Sequence, residues 1–149
     1  MPRRRPGAIR AEQRDSRVWS DKLPERIPGL SARASLEIFR AENRFPVWEV
    51  HVGSTRFALR RYRAFLAAQW QTPLMSIELS CPGCSLFDVR HARNALEGVL
   101  GELPPRARAE LGRLVRALDK RYIRCTQPDP FPERLDQHED GWWFRRLVQ

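Results

Sequence analysis

The chain has 149 residues, of which 42% are hydrophobic, and this length and composition suit one domain with its own core. Its apolar runs are too short to span a bilayer, and no apolar stretch follows the charged segment Met1–Arg5, so we expect no secretory signal. Three cysteines, an odd number, argue against a disulfide framework and for a reducing compartment. We therefore predict a cytoplasmic protein without a membrane segment.

The net charge of +9 is unevenly distributed along the chain. Residues 1–70 carry 15 basic and 7 acidic side chains, a balance of +8, whereas residues 71–149 carry 12 and 11, a balance of +1. A GC-rich bacterial genome explains the preference for arginine over lysine, but it does not explain the shortage of acids. Such asymmetry is typical of proteins that neutralise nucleic-acid phosphates.

Residues 1–28 combine arginines and prolines with little apolar periodicity, which predicts a basic, largely disordered arm. We interpret residues 29–149 as a single α+β domain. The arm's candidate phosphate-binding residues are Arg3, Arg4 and Arg5.

The first predicted element of the domain is a helix that begins after Ser31 and ends near Asn43. The Ser31 hydroxyl can cap the helix N-terminus, and Pro46 prevents its continuation. Leu36 and Phe39 share one face of this helix.

The segment 47–60 predicts a β-hairpin, because Gly53-Ser54 separates two alternating runs in the pattern of a type II′ turn. This register pairs Val50 with Phe57 on the apolar face. The polar face and the residues after it supply candidate nucleic-acid contacts, since arginine binds phosphate in a bidentate manner. The alternative is an ordinary solvated sheet face with Glu49 paired to an arginine across the strand. The candidate residues are Arg56, Arg60, Arg61 and Arg63.

After the hairpin, Tyr62 to Trp70 fit a short helical or irregular segment that Pro73 ends. Met75, Ile77 and Leu79 then alternate with polar residues, which predicts a third strand that leads to Cys81.

The C-terminal half predicts two helices, at 88–103 and 105–124, with apolar residues three or four positions apart. Ser85 or Asp88 is expected to cap the first helix, and the short Pro104-Pro105 link favours an antiparallel pair. The basic residues of the second helix are interpreted as its solvated side: Arg106, Arg113, Arg116, Lys120 and Arg124.

The chain ends with the aromatic run 142–144, for which we expect packing onto the core. A partner-docking peptide or a stacking platform is the alternative interpretation of this run.

Cys81 and Cys84 form a CxxC motif around a Pro-Gly turn, which is half of a zinc knuckle. The antiparallel helices would bring Cys125 level with this loop, so the sequence predicts a structural zinc on these three cysteines, with an unidentified fourth ligand. His91 is expected to face solvent. The alternative is three thiols that behave as small hydrophobes. A thiol–disulfide active site is disfavoured, because the predicted helix starts several residues after Cys84 and its dipole is not directed at Cys81.

The predicted fold is therefore α+β, with an antiparallel sheet of about three strands packed by the C-terminal helix pair. No phosphate loop, nucleophile elbow or histidine-rich metal motif indicates an enzyme. We predict a non-enzymatic nucleic-acid-associated accessory protein with phosphate-dominated binding. The alternatives are a module that docks an acidic protein partner and, less favoured, a CxxC thiol oxidoreductase. No pattern specifies the oligomeric state.

Overall fold

A computed structural model of the chain describes residues 24–45, 50–68, 88–131 and 141–148. These ranges contain four helices and a small antiparallel sheet, so the coarse prediction of mixed helix and sheet is confirmed. None of the helices found in these ranges is long and apolar enough to cross a membrane. The elements are, in order, α1 (Ala32–Arg44), α2 (Ser54–Ala67), α3 (Val89–Glu102), α4 (Pro105–Cys125), β1 (Thr126–Pro128), a 3₁₀ helix (Trp142–Arg145) and β2 (Arg146–Val148).

Helix α1 begins where the sequence predicts. The Ser31 hydroxyl accepts a hydrogen bond from the Ala34 amide at 3.1 Å, as an N-cap residue does. The face turned to the core is centred on Ile38, whereas Leu36 and Phe39 are half-buried.

The predicted hairpin at 47–60 is wrong, because Ser54–Ala67 forms helix α2. Thr55, Ala58, Leu59 and Tyr62 are buried, and their spacing of three or four residues is that of one helix face. Phe57, expected to pair with a buried strand residue, lies on the outer side of the helix and is 48% exposed.

A contact from α1 explains why the chain is helical here. Gly53 has a φ of +89° and occupies the N-cap position of α2; because glycine has no side chain, it supplies no capping hydrogen bond of its own. The buried Glu42 carboxylate takes that role: it accepts hydrogen bonds from the amides of Gly53 (2.7 Å) and Thr55 (2.8 Å) and from the Ser54 hydroxyl (3.2 Å). A type II′ turn and this helix start both use a glycine with positive φ, so the local pattern did not separate them.

The observed sheet lies at the C-terminus and has two strands. Strands β1 and β2 pair antiparallel, with Thr126 opposite Val148 and Pro128 opposite Arg146. The predicted third strand at 75–80, like residues 47–49 of the first, falls outside the described residues. A three-stranded sheet is therefore not found among the residues that the structure describes.

The two C-terminal helices do not pack as an isolated pair on a sheet. Helix α3 packs most extensively along α2, and α4 contacts both α1 and α2 in addition to α3. Within the described residues, the neighbour along which α3 packs is thus helix α2, where the prediction had a sheet. Asp88, one of two predicted caps, accepts a hydrogen bond from the Arg90 amide at 2.9 Å and caps α3.

Two residues of the C-terminal aromatic run pack onto the core as the sequence predicts, whereas Trp142 is exposed. Trp143 and Phe144 are buried, and Phe144 meets the His91 ring edge-on at a centroid distance of 5.9 Å. His91 is therefore buried, and its predicted exposure to solvent is wrong because the returning C-terminus covers it. Burial lowers the pKa of His91 below its ordinary value.

Two glycines with positive φ provide a test of this packing. A Cβ at Gly29 (φ +91°) would lie 2.9 Å from Leu114 Cδ1 and 3.2 Å from Arg63 Nη2, whereas a Cβ at Gly53 (φ +89°) would meet nothing within 4 Å. Gly29→Ala is expected to lower the free energy of unfolding by about 2–3 kcal/mol, and Gly53→Ala by about 1 kcal/mol, measured by urea denaturation. Equal effects would show that Gly29 is required only for its backbone conformation.

Candidate nucleic-acid interface

Helix α2 presents a cationic outer face. Its 14 residues include four arginines and no acidic residue, a balance of +4. The helix period places Arg56, Arg60 and Arg63 in one row, because positions four and seven residues apart return to the same side. The four arginines predicted for the hairpin's polar face and the segment after it therefore all lie on one helix, with Arg61 beside the row.

The centre of this face is an exposed aromatic ring between two cations. The guanidinium carbons of Arg60 and Arg61 lie 5.7 and 5.5 Å from the centroid of the Phe57 ring. Both distances are within the range of cation–π attraction. The exposed ring and the two adjacent guanidinium groups together form a surface that combines a π face with positive charge.

The four arginines of α2 differ in whether their guanidinium groups already contact other parts of the protein. Arg56 forms an exposed ion pair with Glu25, and Arg63 donates a hydrogen bond to the Pro28 carbonyl at 3.1 Å. Arg61 is half-buried, and burial lowers its pKa while the nearby Asp88 opposes that shift. Arg60 is exposed and makes no ion pair with a described residue, so it has the most accessible charge of the four.

A buried polar network fixes α2 against the helices behind it. The Tyr62 hydroxyl of α2 donates to Asp119 of α4 at 2.9 Å, and Arg93 of α3 donates to the same carboxylate at 2.9 and 3.2 Å. The Arg93 guanidinium also lies 4.2 Å from the Trp143 ring centroid and contacts Glu97 at 2.8 Å. Burial and the Asp119 carboxylate both raise the pKa of Tyr62, so this hydroxyl stays protonated as a donor.

A second buried ion pair holds the start of α3 behind Arg61. Arg90 has 1% and Asp88 4% of the side chain exposed, and Arg90 Nη2 lies 2.6 Å from Asp88 Oδ2. The Arg90 Nε donates to the same carboxylate at 2.9 Å, which makes the pair bidentate. Because Asp88 also caps α3, one carboxylate both neutralises a buried charge and begins the helix.

The basic side chains of α4 lie where the sequence predicts, on its solvent side. All five are exposed, and none forms an ion pair with another described residue. The set is Arg106, Arg113, Arg116, Lys120 and Arg124.

The predicted arm residues and most of the predicted metal site are not part of the described chain. Arg3, Arg4, Arg5, Cys81 and Cys84 all lie outside the described residues. Cys125 is half-buried at the last position of α4, where its Sγ lies 3.4 Å from the Tyr122 carbonyl oxygen. No group of three or more potential metal ligands occurs within 24–45, 50–68, 88–131 and 141–148. The zinc site therefore stays a prediction.

Comparison with known proteins finds no matching family model, no similar curated protein and no similar solved structure. The functional assignment therefore depends on the surface chemistry alone. The residue that sequence reasoning missed is Phe57, which the hairpin register placed on the buried side. The spacing of Thr55, Leu59, Tyr62 and Leu66 at four, three and four residues is the sequence signal that could have identified the helix.

Proposed function

We propose that this protein binds single-stranded nucleic acid, without sequence readout, through the outer face of α2. The observation that carries the proposal is the exposed Phe57 ring with two guanidinium groups beside it on a helix that has no acidic residue. Bases stack on aromatic rings or on guanidinium planes, and the arginine charges contact the phosphates between them. Single strands suit this surface because their bases are accessible for stacking.

The proposed contacts extend from α2 to the N-terminal arm. Arg56, Arg60, Arg61 and Arg63 would contact the backbone on either side of the stacked base, and Arg3, Arg4 and Arg5 would add phosphate contacts. This arrangement gives affinity that depends strongly on salt and little on sequence.

The test is the affinity of the full chain for a labelled oligothymidine strand of about 16 nucleotides, measured by fluorescence anisotropy. We expect Phe57→Ala to weaken binding roughly tenfold, because base stacking on an aromatic ring contributes about 1–3 kcal/mol. Arg60→Gln is expected to lower the slope of log affinity against log salt by about 0.7.

Phe131→Ala is the matched control, since Phe131 is equally exposed (49%) and lies beyond the end of α4. This variant is expected to bind as the unaltered protein does. Equal affinities for the Phe57→Ala and Phe131→Ala proteins would contradict the proposal. Circular dichroism of each variant verifies that the helices are intact.

A second candidate function is docking of an acidic protein partner, which the same observation favours because arginine and aromatic side chains are enriched at binding hot spots. The two functions differ in what competes for the surface. Polyglutamate carries negative charge but has no bases that could stack on Phe57. If a polyglutamate peptide displaced the oligothymidine at equal charge concentration, stacking would add nothing to binding, and an acidic protein partner would be the better assignment.

A further inference from the structure

Helix α4 carries a continuous basic row that differs in chemistry from the face of α2. Its 21 residues include seven basic and two acidic side chains, a balance of +5. Two of the basic side chains serve the fold: Arg108 donates to the Gly101 carbonyl at 2.8 Å, and Arg121 donates to the Leu66 carbonyl at 3.2 Å. The other five form what we call the α4 row: Arg106, Arg113, Arg116, Lys120 and Arg124.

Of the two acids of α4, Asp119 is held in the core, whereas Glu110 bonds Ser31 at the surface and its charge also interacts with that of Arg113, so Glu110 offsets part of the row's charge. Glu110 accepts hydrogen bonds from the Ser31 amide and, at 2.9 Å, from the Ser31 hydroxyl, and these bonds lower the pKa of Glu110. Asp119 is bound by Arg93 and Tyr62, as described above. With five basic side chains against Glu110, the outer face of α4 keeps a clear positive excess.

The shape of the α4 row indicates what kind of polyanion it fits. Arg106 and Arg124 are 18 positions apart on a helix, so the row extends over about 27 Å at 1.5 Å per residue. That length equals the rise of about eight base pairs at 3.4 Å each. Ile123 is the one large apolar side chain exposed on α4, and no aromatic ring lies on the row, so it offers no platform on which unstacked bases could stack.

A lipid surface is a poorer match for the α4 row. Amphipathic helices bind membranes by inserting their apolar face, and the apolar face of α4 is already buried in the protein. Leu111, Val115 and Tyr122, which form that face, are each at most 1% exposed.

We propose that the α4 row is a second nucleic-acid surface, which binds the phosphate backbone of a duplex. This inference rests on the proposed nucleic-acid function but uses a different helix, so the two proposals can fail separately. Backbone contacts by long basic side chains need no base access, and the rigid helix presents the charges at fixed intervals along the duplex.

The test is the affinity of the full chain for a blunt DNA duplex of about 16 base pairs, measured by anisotropy between about 50 and 200 mM salt. The triple variant Arg106→Gln, Arg113→Gln, Lys120→Gln is expected to weaken duplex binding tenfold or more at about 100 mM salt. Its log–log salt slope is expected to fall by up to about 0.9 for each side chain replaced.

The matched control removes three exposed arginines from α1, by Arg33→Gln, Arg40→Gln, Arg44→Gln, and so changes the net charge by the same amount. We expect the α1 control to retain nearly full duplex affinity. Equal losses in the two triple variants would overturn the proposal, because the effect would then come from net charge rather than from the α4 row.

Phe57→Ala separates the two surfaces. It is expected to reduce oligothymidine binding and leave duplex binding within about twofold, whereas the α4 triple variant is expected to do the reverse. If Phe57→Ala removed both activities together, duplex binding would depend on α2, and the proposal of a separate duplex-binding surface on α4 would be wrong. If Phe57→Ala affected neither, the α2 proposal alone would fail.

Discussion

Replacing Asp119 with alanine is expected to lower the free energy of unfolding by about 3–5 kcal/mol. The carboxylate is the shared acceptor for the Arg93 guanidinium and the Tyr62 hydroxyl, and these donors join α3 and α2 to α4. The Arg93 side chain is 7% exposed, so removal of its partner leaves a buried cation beside the Trp143 ring. Glu97 continues to contact Arg93, but its side chain is 54% exposed and compensates little.

Urea denaturation of Asp119→Ala, Tyr62→Phe and the double variant measures this network. Tyr62→Phe removes only the hydroxyl and is expected to lower stability by about 1 kcal/mol. The double variant should lose less than the sum of the two single losses, because the Tyr62 hydroxyl bonds to the residue that is removed. An Asp119→Ala loss below about 1 kcal/mol would show that the helices are held together without this ion pair.

The replacement of Glu42 by alanine is the second substitution with a large expected effect, a loss of about 3 kcal/mol in the free energy of unfolding. Glu42 is 3% exposed, and its carboxylate accepts the three hydrogen bonds that begin α2. No side chain at the N-cap position can replace it, because that residue is Gly53. The first turn of α2 also contains Arg56 and Phe57, so fraying of this turn is expected to weaken oligothymidine binding as well.

Glu37→Ala is the control on the same helix, because Glu37 forms only an i,i+3 ion pair with the exposed Arg40. Its expected effect on the free energy of unfolding is below about 0.5 kcal/mol. Glu42→Gln keeps one acceptor oxygen and is expected to fall between Glu42→Ala and the unaltered protein. Urea denaturation and the helical signal in circular dichroism check both results. A Glu42→Ala protein as stable as Glu37→Ala would show that α2 needs no cap from α1.

Phe57 was not predicted as a candidate site residue because its segment was predicted to be a strand and not a helix. The hairpin prediction counted Phe57 among the apolar-face residues, because its register paired Phe57 with Val50 and Leu59 follows two positions later on the same face. In the helix, Leu59 remains buried while Phe57 turns outward, because residues two apart point in different directions on a helix and to the same side on a strand. The arginines beside it were predicted as candidates, but without Phe57 they indicated only phosphate contacts.

The two-stranded sheet could not be predicted from the local sequence pattern, for a different reason. Thr126 and Val148 are 22 positions apart, and each strand has only three residues, too few to show alternation. Pairing also depends on the 3₁₀ helix 142–145 and on Arg146, whose guanidinium donates to the carbonyls of Ile123 and Thr126 at the end of α4. These contacts exist only once α4 and the C-terminus have met.

The sequence by itself determined the features of this protein that depend on near neighbours along the chain. The Ser31 cap, the choice of Ser85 or Asp88 as the cap of α3, and the solvated basic row of α4 follow from capping chemistry and the 3.6-residue period. The ranges of α1, α3 and α4 follow from them to within a few residues.

Only the tertiary structure decided whether residues 54–67 became strand or helix and which way Phe57 faces. Glu42 lies 11 positions before Gly53, and Asp119 lies 57 positions after Tyr62, yet these two carboxylates cap α2 and fix its orientation. A segment whose local pattern suits two structures takes the one in which its buried polar groups find partners, and those partners come from distant parts of the chain.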